Sequence, residues 1–350
     1  MNEEEVLFSH QGQIGFITLN RPNALHSLTL PMIIAIQQQL TLWKDDEGVK
    51  AIILQSAPAN AFCAGGDVRW LYQFGGKNEA EQMQFFRHEY KLNHFIHHLG
   101  KPYIALMDGV TMGGGVGLAM HGSHPVATER FIFAMPETSI GFFPDVGACH
   151  LLKRCPGALG IYLGLTGNRL NHQDSLEASL IKYVITSERI PEIIQTLRSK
   201  DLSEDTFNKV DECLASYSMM INAAEQSWIQ PEINACFSLH TVEEIINALD
   251  KTNTLLAAEI SSTMKQKCPL SLKVTLAQLH KAQGLTFDQC LEMDYDLAGH
   301  FMEGKDFYEG VRALLIDKDK APKWQPESLS QVSDSMVVAY FESSEERLEF

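Results

Sequence analysis

The chain has 350 residues, room for one large domain plus an appendage, and 45% of them are apolar, enough to bury a substantial core. A formal charge of −16 excludes a general nucleic-acid or polyanion surface, and no run is long and apolar enough to span a membrane. The seven cysteines are odd in number and contain no C-x-x-C pair, so neither structural zinc nor a disulfide framework is expected. Residues 1–5 are acidic where a signal or transit peptide would be basic, and the expected location is cytoplasmic.

The first half alternates strand-like and helical runs. A strand is predicted over 13–19, a turn over 20–23, and a helix over 29–44, where Leu30, Ile33, Ile34, Ile36 and Leu40 fall close to helical spacing. Further strands are predicted over 51–55, 101–107, 125–128 and 131–134, with a long helix over 79–99 and a short one over 116–121. This alternation implies an α/β fold with largely parallel pairing. Near residue 190 the character changes, and helices are predicted over 191–198, 206–217, 241–249, 255–267, 271–283 and 287–302. The expected division is a core over 1–200 and a helical region over 201–350. The tail from 305 is charged and mixed, and its last residues are expected to fray.

The segment Ala134-Met-Pro-Glu-Thr-Ser-Ile-Gly-Phe-Phe-Pro-Asp-Val-Gly147 sets Glu137 and Asp145 eight residues apart in an otherwise uncharged run. A loop this apolar folds against the protein, and acids held there are costly unless they bind or react with something. Upstream, the Ala64-Gly-Gly66 step follows a strand and lets the backbone turn and present an N–H without a Cβ in the way. Gly113, Gly114 and Gly115 open a predicted helix, whose free N–H groups and partial positive charge suit a developing oxyanion. A dinucleotide fingerprint fails there, because Leu118 and Met120 stand where glycines are needed, and no phosphate-loop Lys follows. His88-Glu-Tyr-Lys-Leu92 lacks the second His of a zinc protease, His94, His97 and His98 have no evident partner in sequence, and no metal is expected. There is no G-x-S-x-G nucleophile elbow. Cys63 reads as core.

Together these segments resemble the enoyl-CoA hydratase/isomerase (crotonase) superfamily. The general features are Ile17-Thr-Leu-Asn-Arg-Pro22, Ala61-Phe-Cys-Ala-Gly-Gly-Asp67 and Asp108-Gly-Val-Thr-Met-Gly-Gly-Gly115. The run from Met135 to Gly147, Pro269-Leu-Ser-Leu-Lys-Val-Thr275, Asp306-Phe-Tyr-Glu-Gly-Val-Arg312 and Pro322-Lys-Trp-Gln-Pro326 are most similar to its 3-hydroxyisobutyryl-CoA hydrolase branch.

The resemblance implies a crotonase-like spiral of ββα units with a helical C-terminal region. It implies an enzyme that hydrolyses a short 3-hydroxyacyl-CoA thioester, 3-hydroxyisobutyryl-CoA above all, in valine catabolism. Coenzyme A is then part of the substrate, no separate cofactor is expected, and a homo-oligomer is possible. Carried over by position, Gly66 and Gly114 supply oxyanion N–H groups, Glu137 and Asp145 are the catalytic acids, and Glu89 touches substrate. Ala24, Leu25, Ala64 and Asp67 fall along the expected CoA and acyl path.

Hydratases of the superfamily carry a second catalytic glutamate shortly after the three glycines, and this chain has Gly117 there. Thioester hydrolysis is therefore the expected reaction, with hydration or isomerisation of an unsaturated acyl-CoA, or silent acyl-CoA binding, as rivals. Gly147-Ala-Cys-His150 departs from the branch, which is richer in glycine there, and this bears on acyl-pocket width.

Overall fold

A computed structural model describes residues 4–74, 79–219, 231–343 and 346–350. In chain order the strands are β1 (Val6–Gln11), β2 (Ile14–Leu19), β3 (Ala51–Ser56), β4 (Ala61–Cys63), β5 (Tyr103–Met107), β6 (Val110–Met112), β7 (His124–Thr128), β8 (Ile132–Ala134), β9 (Leu170–Asn171) and β10 (Tyr183–Ile185). One sheet has the order β1-β2-β3-β5-β7-β10 and the other β4-β6-β8-β9. β1 turns through Gly12, at a φ of +63°, and pairs antiparallel with β2 from Val6↔Leu19 to Gln11↔Ile14. The remaining pairings of the six-stranded sheet are parallel, as the alternation of strands and helices requires.

Strands β2, β3, β5, β7 and β8 match expectation. β1 is an edge strand that fully buries only Val6, so it carries little apolar signal. β4, β6, β9 and β10 have two or three residues each, too few to show a period.

Grouped by proximity the residues form two units of interleaved segments, whereas the boundary expected at residue 200 follows composition along the chain. The first unit takes Met1–Gly66, Lys91–Phe133 and Leu170–Gln226. Its core follows from strand alternation: Ile14 and Phe16, Ala51 and Ile53, and Ile104 and Leu106 point to one face of the six-stranded sheet. That face meets Ile193 and Leu197 of the helix Ile190–Ser199, and Val210, Cys213 and Leu214 of the helix Thr206–Tyr217.

The second unit takes Asp67–Tyr90, Ala134–Arg169 and Ser227–Phe350. Its helices start where polar side chains cap them. Thr241 and Thr286 form capping boxes with Glu244 and Gln289, opening Val242–Lys251 and Phe287–Glu303, and Thr254 caps Leu255–Lys265. Pro269–Lys281 begins on proline, whose missing N–H is no loss at that position. Among the described residues of this unit, the helices Val68–Phe74, Ala148–Leu152, Leu159–Thr166, Pro231–Phe237, Asp306–Val311 and Asp334–Ala339 escape the sequence reading. Leu159–Thr166 is apolar on nearly every side and so has no amphipathic period, and Pro231–Phe237 is a short segment. Among the described residues no helix is long and apolar enough to cross a membrane.

Candidate active site

The acid-bearing segment is pinned by its aromatic residues. Phe142 packs on Phe86, Phe301 and Phe307 with ring centroids 5.4–5.6 Å apart, and Phe143 stacks on Phe301 at 5.3 Å. Gly141, at a φ of +70°, has no room for a side chain: an added Cβ would lie 2.3 Å from the Asp306 carbonyl oxygen. Glu137 follows Pro136 and begins the 3-10 turn Glu137–Ile140, which closes as the Phe142 N–H donates to the Glu137 carbonyl at 3.1 Å. Asp145 stands just before Val146 and Gly147, both left-handed at φ of +54° and +71°.

The same unit brings Glu89 to these two acids. Glu89, Glu137 and Asp145 are only 2%, 7% and 6% exposed, so three carboxyl groups are buried within range of one another's charge. Glu89 lies on the helix Glu79–His97, which places its neighbour Tyr90 to donate its hydroxyl to Asp145 Oδ2 at 2.8 Å. Glu89 Oε1 and Glu137 Oε2 are buried with no hydrogen-bond partner. Such atoms are rare in folded proteins, and their clustering marks a place built to meet a ligand.

Burial dominates the electrostatics. It pushes Asp145 up to about 7, against the opposing pull of the Tyr90 hydroxyl and of Asp145's own backbone. Glu137 is raised well above the carboxylate range by burial and then by Asp145, with its own backbone and Lys267 pulling the other way. Glu89 is raised by burial, then by Asp145 and Glu137. Like charges this close resist joint ionisation, and the Tyr90 hydroxyl favours the charged form of Asp145. Lys267 is itself lowered by burial and donates to Ser139 Oγ at 2.5 Å, on the turn that Glu137 opens.

The glycine turns lie in the first unit. Gly65, at a φ of +106°, lets the chain fold so that its carbonyl accepts the Leu28 N–H at 2.8 Å, while the Ala64 N–H donates to Leu25 at 3.0 Å. Gly66 bridges Leu28 in parallel. Ala24 ends the 3-10 turn Pro22–Ala24, and Leu25 is exposed at a φ of +51°. Gly114 is the first residue of the helix Gly114–Met120, where a backbone N–H has no partner within the helix. Its nitrogen lies 3.6 Å from the Cβ position of Gly65, and a Cβ on Gly115 would come within 2.4 Å of the Cys63 carbonyl oxygen. Only glycine permits that approach. Asp67, in the second unit, caps the helix Val68–Phe74, its side chain accepting the Trp70 N–H at 3.3 Å.

The structure thus brings together Glu89, Glu137 and Asp145, and it adds contacts from Tyr90 and Lys267 that the sequence reading did not name. Tyr90 adjoins Glu89 and could have been suspected on that ground. Lys267 carries no local signal, because it reaches Ser139 from a segment 128 residues further along the chain.

The sequence matches the family described as enoyl-CoA hydratase/isomerase over residues 14–341. It is 43% identical to the human mitochondrial 3-hydroxyisobutyryl-CoA hydrolase, covering 97% of this chain and 89% of that protein. It is 42% identical to the Danio rerio mitochondrial protein of the same name, covering 98% and 91%. Among solved structures it is similar to a carnitinyl-CoA dehydratase from Mycobacterium thermoresistibile, with a TM-score of 0.92, 34% identity and 99% of each chain covered. An enoyl-CoA hydratase from Rhodobacter sphaeroides aligns with a TM-score of 0.89 and 33% identity, covering 99% of this chain and 100% of that one.

These relatives correct the cytoplasmic expectation: the curated hydrolases are named as mitochondrial, and an acidic first few residues is too weak a signal to set against them. The crotonase fold inferred from the motifs stands. The chain belongs to the enoyl-CoA hydratase/isomerase family.

Proposed function

We propose that the protein hydrolyses 3-hydroxyisobutyryl-CoA to 3-hydroxyisobutyrate and free coenzyme A, a step of valine catabolism. The observation that carries this reading is the buried group of Glu89, Glu137 and Asp145, with carboxyl oxygens that find no partner in the protein. The hydrolase names of the curated relatives, which cover nearly the whole chain, support the same choice of substrate.

In the proposed reaction the thioester C–S bond breaks, one water is consumed in forming the product carboxylate, and the sulfur leaves with a proton as the CoA thiol. The N–H groups of Gly66 and Gly114 stabilise the developing oxyanion; removing one such donor typically slows a reaction about 10²–10³-fold. Glu137 either attacks the carbonyl to give a mixed anhydride or takes the proton of the attacking water. Asp145 orients Glu137 or the water and holds the substrate's 3-hydroxyl. Both routes need the Glu137 carboxylate. Single turnover in oxygen-18 water separates them, since only the anhydride route leaves label in Glu137. The reaction consumes thioester and water alone, so no cofactor enters.

Two of the similar solved structures are of a carnitinyl-CoA dehydratase and an enoyl-CoA hydratase, which makes water addition across a double bond the rival reading. That chemistry needs a second acid after the glycine run, and the helix Gly114–Met120 has Gly117, fully buried among apolar neighbours. Free-thiol release from 3-hydroxyisobutyryl-CoA, set against loss of crotonyl-CoA absorbance, decides. The proposal requires thiol release with crotonyl-CoA untouched, and the reverse pattern refutes it.

A further inference from the structure

The Asp145 loop is gripped from both sides by a pair of side chains that the reaction does not use. Gln278 Nε2 donates to the Pro144 carbonyl at 2.9 Å and to Asp294 Oδ1 at 2.8 Å. Asp294 Oδ2 accepts the Gly147 N–H at 2.8 Å. The residue before Asp145 and the second residue after it are thus tied to one linked pair, supplied by the helices Pro269–Lys281 and Phe287–Glu303. Both side chains are 0% exposed. Gln278 faces two acceptors with its amide nitrogen while its Oε1 is buried without a partner, so turning the amide over would set oxygen against the Pro144 oxygen.

Between the two anchor points the backbone is left-handed twice, at Val146 and Gly147. A β-branched residue holds such a conformation only where its surroundings impose it. A buried acid and amide are an expensive way to pack two helices, since apolar side chains of similar volume would serve.

We propose that Asp294 and Gln278 are positioning residues for thioester hydrolysis, acting on Asp145 through its own backbone. They fix where its carboxylate stands relative to the Tyr90 hydroxyl. This rests on the reading of Asp145 as a catalytic acid, and the test includes that residue.

Gln278→Met keeps the volume and removes both donated bonds. Asp294→Asn keeps an acceptor for Gly147 but turns an amide against Gln278. Each is compared with wild type and Asp145→Asn for kcat and KM on 3-hydroxyisobutyryl-CoA, binding of a non-hydrolysable thioether analogue, urea midpoint and pH–rate profile. Misplacing the acid by about 1 Å should lower kcat about 10- to 100-fold, with KM and analogue affinity nearly unchanged.

The acid limb of the profile should also move up. A displaced Asp145 loses the Tyr90 bond that favours its charged form, while Glu89, Glu137 and Asp294, which share its surroundings, remain in Gln278→Met. A purely packing role would lower the urea midpoint and leave that limb in place. Wild-type kcat per folded molecule, or a reduced kcat with an unmoved limb, overturns the proposal. If Asp294→Asn does not fold, Gln278→Met and the shortened Gln278→Asn read the same quantities. Wild-type rates in Asp145→Asn would instead remove the assignment of Asp145 itself.

Discussion

Asp145→Asn should abolish thiol release and, above neutral pH, make the folded protein more stable. Burial lifts the Asp145 carboxyl from 3.8 to about 7. At about 1.36 kcal/mol per unit, that difference of roughly three units amounts to about 4 kcal/mol. The folded state binds this proton more tightly than the unfolded chain does. The stability this group contributes is therefore fully present below the unfolded value, declines as pH rises, and is lost above the folded value near 7.

Asparagine carries no charge at any pH. It keeps an acceptor for Tyr90 and so stands in for the protonated acid, the Tyr90 bond to the charged form being already contained in the value near 7. The variant should thus exceed wild type by about 4 kcal/mol at about pH 8 and by only about 1 kcal/mol at about pH 4.5. Urea unfolding of both proteins at the two pH values, with thiol release measured alongside, reads the effect. An equal effect at both values, or destabilisation at the higher one, would refute the reasoning.

Tyr90→Phe removes the hydroxyl that donates to Asp145 at 2.8 Å and opposes the rise in its pKa. The acid limb of the pH–rate profile should shift to higher pH with the far-UV spectrum unchanged, and an unmoved limb would count against the bond. Gly115→Ala would place a Cβ 2.4 Å from the Cys63 carbonyl oxygen, backbone that cannot swing aside. It should destabilise by about 3 kcal/mol in urea. Gly284→Ala, with nothing within 4 Å of its new Cβ, is the control and should stay near wild type.

What the sequence made legible follows from where the physical signal is local. Glu137 and Asp145 stand out because charge is costly in an apolar run, and the glycine turns because close backbone approach excludes a Cβ. The late helices announce themselves through Thr241, Thr254 and Thr286 at their starts. The burial of Glu89 was not legible from the helix alone: a glutamate there is ordinarily solvated, and only the family likeness singled it out. Its buried position depends on the loop that folds against its face. Strands of two or three residues lie below the length at which alternation can be seen, and Leu159–Thr166 hides its helical period by being apolar all round. Asp294 and Gln278 lie more than 130 residues beyond the loop they hold, so nothing in their local sequence points to it.

The account turns on buried carboxyl groups performing thioester hydrolysis, and the most direct measurement is free-thiol release from 3-hydroxyisobutyryl-CoA by Glu137→Gln at matched folded concentration. Rates should fall about 10²–10⁴-fold, the range of a lost acid–base group, while the thioether analogue still binds. Release at the wild-type rate would contradict the account.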